Sequence, residues 1–206
     1  MSFASVAASR ILRHGNGTVG TLPRIYNNDN KTYAYGYVEI NAQATSPVAR
    51  IKVHKAWLDG EAQVANGHLI QDRADGKMYF IMSQKPELYG GAVAYYDVTL
   101  YYCNTTCSVQ RFGVSGKTAF GKPQGGAPTT LYENVYIMTT SLSVDVKEQE
   151  DQVLAQEKIK VAIQSKYGVK INDRLTCSNG DVYKVMSIDR TQLEGLWMLF
   201  VDKDIR

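Results

Sequence analysis

The sequence predicts a mainly β protein: two tandem small β-barrel or sandwich domains of similar fold, preceded by a short N-terminal helix or arm. Three observations predict this. The 206 residues include 14 Tyr against 5 Phe and 2 Trp, with many Val, Ile and Thr, a composition that suits pleated, half-buried surfaces. Short runs alternating apolar and polar residues lie between Gly, Pro, Asn and Asp turn signals. An octapeptide, GKMYFIMS from Gly76 to Ser83, returns as GDVYKVMS from Gly180 to Ser187.

Further blocks flank the octapeptide. GHLIQDR (67–73) and GVKINDR (168–174) both fit G-x-x-I-x-D-R, the tripeptide IKV starts at Ile51 and again at Ile159, and Arg13-His14-Gly15 is answered by Arg111-Phe112-Gly113. The order is the same in both halves while the spacing drifts, as loop insertions would cause. This predicts an internal duplication, with one unit over 1–104 and the other over 105–206. Each is of ordinary domain size.

The expected elements follow in order. Ala4 to Arg13 can place Val6, Ile11 and Leu12 on one stripe of a short helix; the segment has neither the charged start nor the apolar centre of a signal peptide, so none is predicted. The first unit reads as strands at Tyr33–Asn41, Ala49–Lys55, Met78–Met82 and Ala92–Tyr102, with KPELYGG as a Pro/Gly turn before the last. In its second strand, Ile51 and Val53 share one face and Lys52 and His54 the other. The second unit repeats the set at Tyr132–Val146, Lys158–Gln164, Asp181–Ile188 and Leu196–Val201.

Within the matched blocks, Gly67 and Gly168 are expected at turns of positive φ, and Ile70 and Ile171 are expected to point inward. Asp72-Arg73 and Asp173-Arg174 read as exposed loop-edge residues whose Asp caps a turn. Asp75-Gly76 and Asn179-Gly180 predict type I′ hairpins. Tyr79 and Ile81, like Tyr183 and Val185, share one face of the strand that follows. The octapeptide is thus a turn and a strand, selected for folding rather than for chemistry.

Composition narrows the function classes. With 44% apolar and 21% charged residues the chain is globular. A net charge of +3 is too mild to imply nucleic acid, and no apolar run approaches the ~20 residues of a membrane span. An odd count of three cysteines, with no secretion signal, predicts reduced thiols in a cytoplasm-like compartment. Cys103 and Cys107 are spaced C-x3-C, but neither Cys177 nor His14, His54 and His68 complete a zinc site, and nothing supports a Cys103–Cys107 disulfide. The three thiols read as unrelated small apolar side chains.

No Ser–His–Asp set stands out, and HGNGTVG (14–20) lacks the G-K-[ST] of a phosphate loop. The sequence therefore predicts no catalytic residues, no cofactor and no metal. Two Gly-rich stretches remain, one with Gly15, Asn16, Gly17 and Gly20, the other with Gly121, Lys122, Gln124, Gly125 and Gly126. Long loops at matching places suggest partner-contact arms. Glu148, Glu150 and Asp151 form an acidic run, read as a solvated loop or as one facing a basic partner.

The ending INDRLTCSNGDVYKVMSIDRTQLEGLWMLFVDKDI resembles the C-terminal half of the head-closure (head–tail joining, or stopper) proteins of tailed bacteriophages. Asp173-Arg174, Gly180, Tyr183, Val185 and Leu199 occupy the matching places of a turn, a Tyr-bearing strand and a long final strand. Asp72-Arg73, Gly76, Tyr79, Ile81 and YYDVTLYY fit the same loose pattern, so the resemblance runs twice along the chain. It implies a structural virion protein, made in the host cytoplasm and located in the neck. Such a protein forms a homo-oligomeric ring that joins portal or adaptor to the tail, retains packaged DNA and contacts it in the channel. The duplication departs from the family's single unit and leaves a trimer or a hexamer of chains open. The alternatives are another virion structural protein (tail terminator, collar or decoration protein) and an OB-type barrel for single-stranded nucleic acid, hinted at by Arg50, Lys52, Lys55 and Trp57.

Overall fold

The structure, a computed structural model, describes residues 25–34, 36–44, 52–117, 123–142 and 158–204. The helix expected over Ala4–Arg13, the loop residues Gly15, Asn16, Gly17, Gly20, Gly121 and Lys122, and the acidic Glu148, Glu150 and Asp151 lie outside the described residues. The described chain is mainly β. It divides into two compact units whose main boundary lies between Cys103 and Asn104, with Leu193–Gly195 grouped with the first.

The first unit contains β1 (Ile25–Asn27), β2 (Thr32–Ala34), β3 (Gly36–Ala44), β4 (Lys52–Asp59), β5 (Leu69–Asp72), β6 (Met78–Tyr89) and β7 (Ala92–Tyr102). They form one antiparallel sheet in the order β2-β1-β5-β6-β7-β4-β3. Its two edges, β2 and β3, are successive in the chain, with a single residue between Ala34 and Gly36. Two Cα steps span at most roughly 7 Å, so this sheet must curl until its edges approach. The second unit contains β8 (Thr105–Lys117), β9 (Pro123–Leu142), β10 (Lys158–Gln164), a 3₁₀ turn (Ser165–Tyr167), β11 (Arg174–Cys177), β12 (Val182–Leu193) and β13 (Leu196–Lys203). Here the sheet closes fully, in the order β10-β13-β12-β11-β8-β9.

Alternation along the strands fills each interior. In the first unit the core is Ile25, Ala56, Leu58, Ile70, Tyr79, Ile81, Val98 and Leu100. In the second it includes Cys107, Val161, Ile163, Leu175, Tyr183, Val185, Leu199 and Val201. The registers run in parallel. Ile70 faces Tyr79 and Leu175 faces Tyr183; Ala56 faces Val98 and Val161 faces Leu199. Burying each Leu, Ile or Val side chain contributes about 1.5–3 kcal/mol, so these interiors dominate the stability of both units.

The octapeptides occupy equivalent places, each running from a tight turn into a strand, but the flanking blocks do not. Gly67 has φ +79 and donates its N–H to Ile81 O at 2.7 Å. The residue that donates to Val185 O is Asn172, at φ +71 and 2.8 Å, not Gly168. Gly168 does have positive φ, but as the cap of the 3₁₀ turn. Ile171 therefore falls in the turn before β11 and is 56% exposed, while Leu175 takes the inward place. The IKV match leaves open which face of its strand is inside. Strand β4 runs on to Asp59, and fully buried Ala56 and Leu58 set its phase, so His54 points inward with them and Val53 is half-buried. An odd slip in register exchanges the two faces of a strand.

The expected type I′ turns also differ. Only the glycine of each pair has positive φ, +73 at Gly76 and +91 at Gly180. Gly180 N–H donates to Cys177 O at 3.0 Å, so Ser178 and Asn179 make a three-residue turn that ends on a left-handed glycine. Gly76 N–H donates to Asp72 O at 2.8 Å, one residue further round. In both turns the Asx side chain caps the residue beyond the glycine: Asp75 Oδ1 accepts from Lys77 N–H and Asn179 Oδ1 from Asp181 N–H. The type I′ turn of this fold is Gly90-Gly91, φ +59 and +79, between Tyr89 and Ala92. Lys85 to Tyr89, expected as a turn, belong to β6.

Open space surrounds a Cβ built at Gly180, so a substitution there is strained by backbone conformation alone. Gly180→Val is expected to destabilise the second unit by about 1 kcal/mol or more. That would lower its thermal midpoint by roughly 4–8 °C, and calorimetry of the variant checks it.

Candidate partner interface

Strands β8 and β9 stay paired from Thr105 opposite Ile137 at the barrel to Lys117 opposite Pro123 at the far end. Their barrel neighbours stop much earlier. Strand β11 covers β8 only from Cys107 to Gln110, and β10 covers β9 only from Met138 to Leu142. Beyond those rows the two strands form a ribbon that no other strand flanks among the described residues. Residues 127–134 are exposed, Leu131 and Tyr132 among them.

The candidate contact residues Gln124, Gly125 and Gly126 were expected in a loop. They lie instead in β9, with Gln124 opposite Gly116 and Gly125 opposite Val114. Their Pro- and Gly-rich surroundings read as loop because such residues weaken a central strand. At a ribbon edge no ladder bond is lost to Pro123 or Pro128, and glycines accommodate bulges. The β8–β9 register shifts four times along its length.

An ion pair anchors the base of the ribbon. Arg111 Nε donates to Asp173 Oδ1 at 2.8 Å and its Nη2 to Asp173 Oδ2 at 2.7 Å, the planar fork meeting both oxygens. Asp173 is 2% exposed and also accepts Lys170 N–H at 2.7 Å. The hydrogen bonds to Asp173 push the Arg111 guanidinium above its ordinary pKa. Arg111 Nη2 further donates to Gly168 O at 3.2 Å. Next to it, Arg174 lies over the Phe112 ring and pairs with Asp204 at 2.8 Å. Asp173 and Arg174 are thus ion-paired at the barrel surface, not exposed loop edges, and in the first unit Asp72 is buried as well. Sequence inspection put Arg111 and Asp173 in separate blocks; their 62-residue separation hides the pairing.

A second hairpin projects from the first unit. Strand β5 covers β6 only from Met78 to Phe80, and the β6–β7 tip carries Leu88 and Tyr89 at 67% and 66% exposure. The sequence reading missed these two, having assigned them to a turn.

An open cleft of about 320 Å³ lies beside β8, β9 and β11 in the second unit. Cys107 and Cys177 line it together with Ser108, Thr176, Glu133 and Asn134. Burial pushes the Cys107 thiol up to about 12, with Cys177 adding to the shift, and the Cys177 thiol up to about 11. The third thiol, Cys103, is buried and raised by desolvation too. Two of the cysteines are therefore close neighbours rather than unrelated. No group of three or more His, Cys, Asp or Glu able to hold a metal ion occurs among the described residues. His54 is buried edge-on against Tyr79, and no described helix is long and apolar enough to cross a membrane. Compared with models of protein families, with characterised proteins and with solved structures, the chain matches none.

Two outcomes follow from these contacts. Arg111→Ala leaves the Asp173 carboxylate buried without its counter-charge and is expected to lower stability by about 2–4 kcal/mol. Arg111→Lys, which cannot meet both oxygens, should recover only part of that loss in urea titrations. The second outcome concerns pH. Cys107, Cys177, Tyr79 and Tyr183 are all raised in the fold, the tyrosines to about 12, mainly by burial. The unfolded chain releases these protons from near 9 for Cys and 10 for Tyr upward. The unfolded state then binds fewer protons, so their contribution, intact at neutral pH, is lost as pH rises through about 9 to 12. Thermal midpoints flat from pH 7 to 8 and falling above about pH 9 are the expected record.

Proposed function

We propose that this chain is a structural assembly protein of the neck of a tailed bacteriophage. In this reading it is a head-closure component that forms a closed homo-oligomeric ring, joins portal or adaptor to the tail and retains packaged DNA. The projecting β8–β9 ribbon carries the reading. A two-stranded ribbon buries little surface and is marginal in water by itself. At the root of the ribbon, in the rows of Val109 and Gln110 where β9 leaves the barrel, Leu131 and Tyr132 are exposed; with the open strand edges beyond them they suit burial against another chain. The apolar β6–β7 tip is a second surface of the same kind, and ring closure keeps such edges from polymerising. The sequence resemblance supplies the particle and the place in it.

The two units are read as copies of one ancestral domain. Support comes from the interior: all eight core residues of the first unit have a counterpart in the second. From Lys55 to Gln71 the pairing registers correspond at a constant step of 105 residues, as Ile70 with Leu175 and Ala56 with Val161 illustrate. Three chains would then supply six pseudo-equivalent units and six chains twelve.

Averaged electron density of the virion neck is the test, since an isolated chain can await a portal or adaptor ring as template. The expected result is a ring of this chain with the β8–β9 ribbon at subunit boundaries. Leu131→Asp should weaken incorporation into particles several-fold without moving the thermal midpoint. The chain on the capsid shell or in a tail fibre, or the ribbon facing solvent all round, would refute the neck reading.

A further inference from the structure

We infer that the seam between β8 and β11 is a thiol modification site, at which Cys107 and Cys177 join in a cross-strand disulfide. The two residues are directly opposed in the antiparallel ladder. One step outward, Ser178 N–H donates to Thr106 O at 2.8 Å, so those two belong to a hydrogen-bonded pair. Pairs alternate along such a ladder, which makes Cys107 and Cys177 a non-hydrogen-bonded pair, with Cα atoms about 4.5 Å apart and side chains on one face. A disulfide requires a Cα separation of roughly 4.4–6.8 Å. No backbone rearrangement is needed beyond rotation of two short side chains.

Access is the second requirement. Both thiols are nearly covered, at 3% and 4% exposure, but both line the cleft described above, which is large enough for a small oxidant. Cys103 lies in the first unit and has no place in this ladder.

Hydrogen peroxide is a sufficient oxidant. Burial keeps both thiols largely protonated, so the reaction runs through a small thiolate fraction and quickens as pH rises. The Cys177 sulfur, as thiolate, attacks one peroxide oxygen; the O–O bond breaks, and the departing hydroxide takes a proton to leave as water. The resulting sulfenic acid is attacked by the Cys107 thiolate, which forms the S–S bond and expels the second oxygen as water. Two thiols and one peroxide give one disulfide and two waters. The two electrons lost by the sulfurs reduce the peroxide.

The bond would matter at this place. Strand β11 has only four residues, and its pairing with β8 is one of the contacts that close the barrel. The crosslink would join positions 70 residues apart in the chain (177 − 107) and so restrict the unfolded state strongly.

The full-length chain, reduced and then treated with hydrogen peroxide under native conditions, provides the test. Remaining thiols are alkylated after unfolding and the non-reduced digest is read by mass spectrometry. The expected product has lost two hydrogens, carries a peptide joining Cys107 to Cys177 and an alkylated Cys103, and reverts with dithiothreitol. Its thermal midpoint should rise by on the order of 10 °C. Cys103→Ser should retain the crosslink and Cys177→Ser lose it; should Cys177→Ser fail to fold, the digest of the unaltered chain decides. Three alkylated cysteines after peroxide, a crosslink through Cys103, or sulfinic acid at Cys177 without a crosslink would overturn the inference.

Discussion

Strands that alternate inward and outward, in a curled sheet of seven in one unit and a closed barrel of six in the other, leave few choices for the residues inside. That constraint governs the rest of this structure. So few strands enclose room for little more than their own inward side chains, and a slip of one residue would send the whole interior set to the surface. The large Tyr79 and Tyr183 sit at corresponding points of their units, each opposite a branched aliphatic residue, Ile70 and Leu175. Smaller residues complete the same interiors, Ala56 in one unit and Val161 in the other. Volume is shared out among neighbours differently in the two interiors, as close packing permits when the total is kept.

The outer faces carry no such constraint and differ accordingly. On β5 and β6 the pair Leu69 and Phe80 is buried, at 3% and 0% exposure. The matching pair on β11 and β12 is Arg174 and Lys184, both half-buried. The turn that leads into each pair keeps its geometry and changes its chemistry. Ala65 N–H donates to His68 Nδ1 in the first unit and Lys170 N–H to Asp173 Oδ2 in the second. A ring nitrogen and a carboxylate oxygen both satisfy the orphan backbone donor. A buried carboxylate, unlike a neutral ring, needs a counter-ion, and Arg111 supplies it.

This division explains what could be read from the chain beforehand. The β class, the octapeptide strands and the shared face of Tyr79 with Ile81, and of Tyr183 with Val185, were legible because they follow the period-two rule directly. Short identities away from the octapeptide were poor guides. G-x-x-I-x-D-R aligned Gly67 with Gly168, where the ladder matches Gly67 with Asn172, because a left-handed turn position accepts Asn as well as Gly. IKV told which residues of β4 share a face but not which face is inside, a choice settled by buried Ala56 and Leu58 further along. The ribbon was hidden by composition: Gly and Pro signal a loop wherever both strand edges must bond, and here only the edge facing the partner strand does. The Arg111–Asp173 pair and the facing cysteines, 62 and 70 residues apart, could not be seen without the register.

The ion pair also sets how the ribbon leaves the barrel. Gln110 is the last residue of β8 that pairs with β11, and Arg111 is the next. The clamp therefore sits where the strand loses one of its two neighbours and with it half of its directional hydrogen bonds. Apolar contact at that point would hold the strand close without fixing its angle, because dispersion and burial depend little on orientation. A guanidinium fork on a carboxylate is planar and two-pronged, and so resists both sliding and rotation. Tyr132, on the opposite strand of the ribbon, adds an edge-on contact with Tyr167, 5.1 Å between ring centres. Both contacts reach the same connection between β10 and β11, which is short and itself closed by the Asp173 cap. The direction of the ribbon is thus set by polar geometry at its root, where the two-pronged guanidinium meets both carboxylate oxygens.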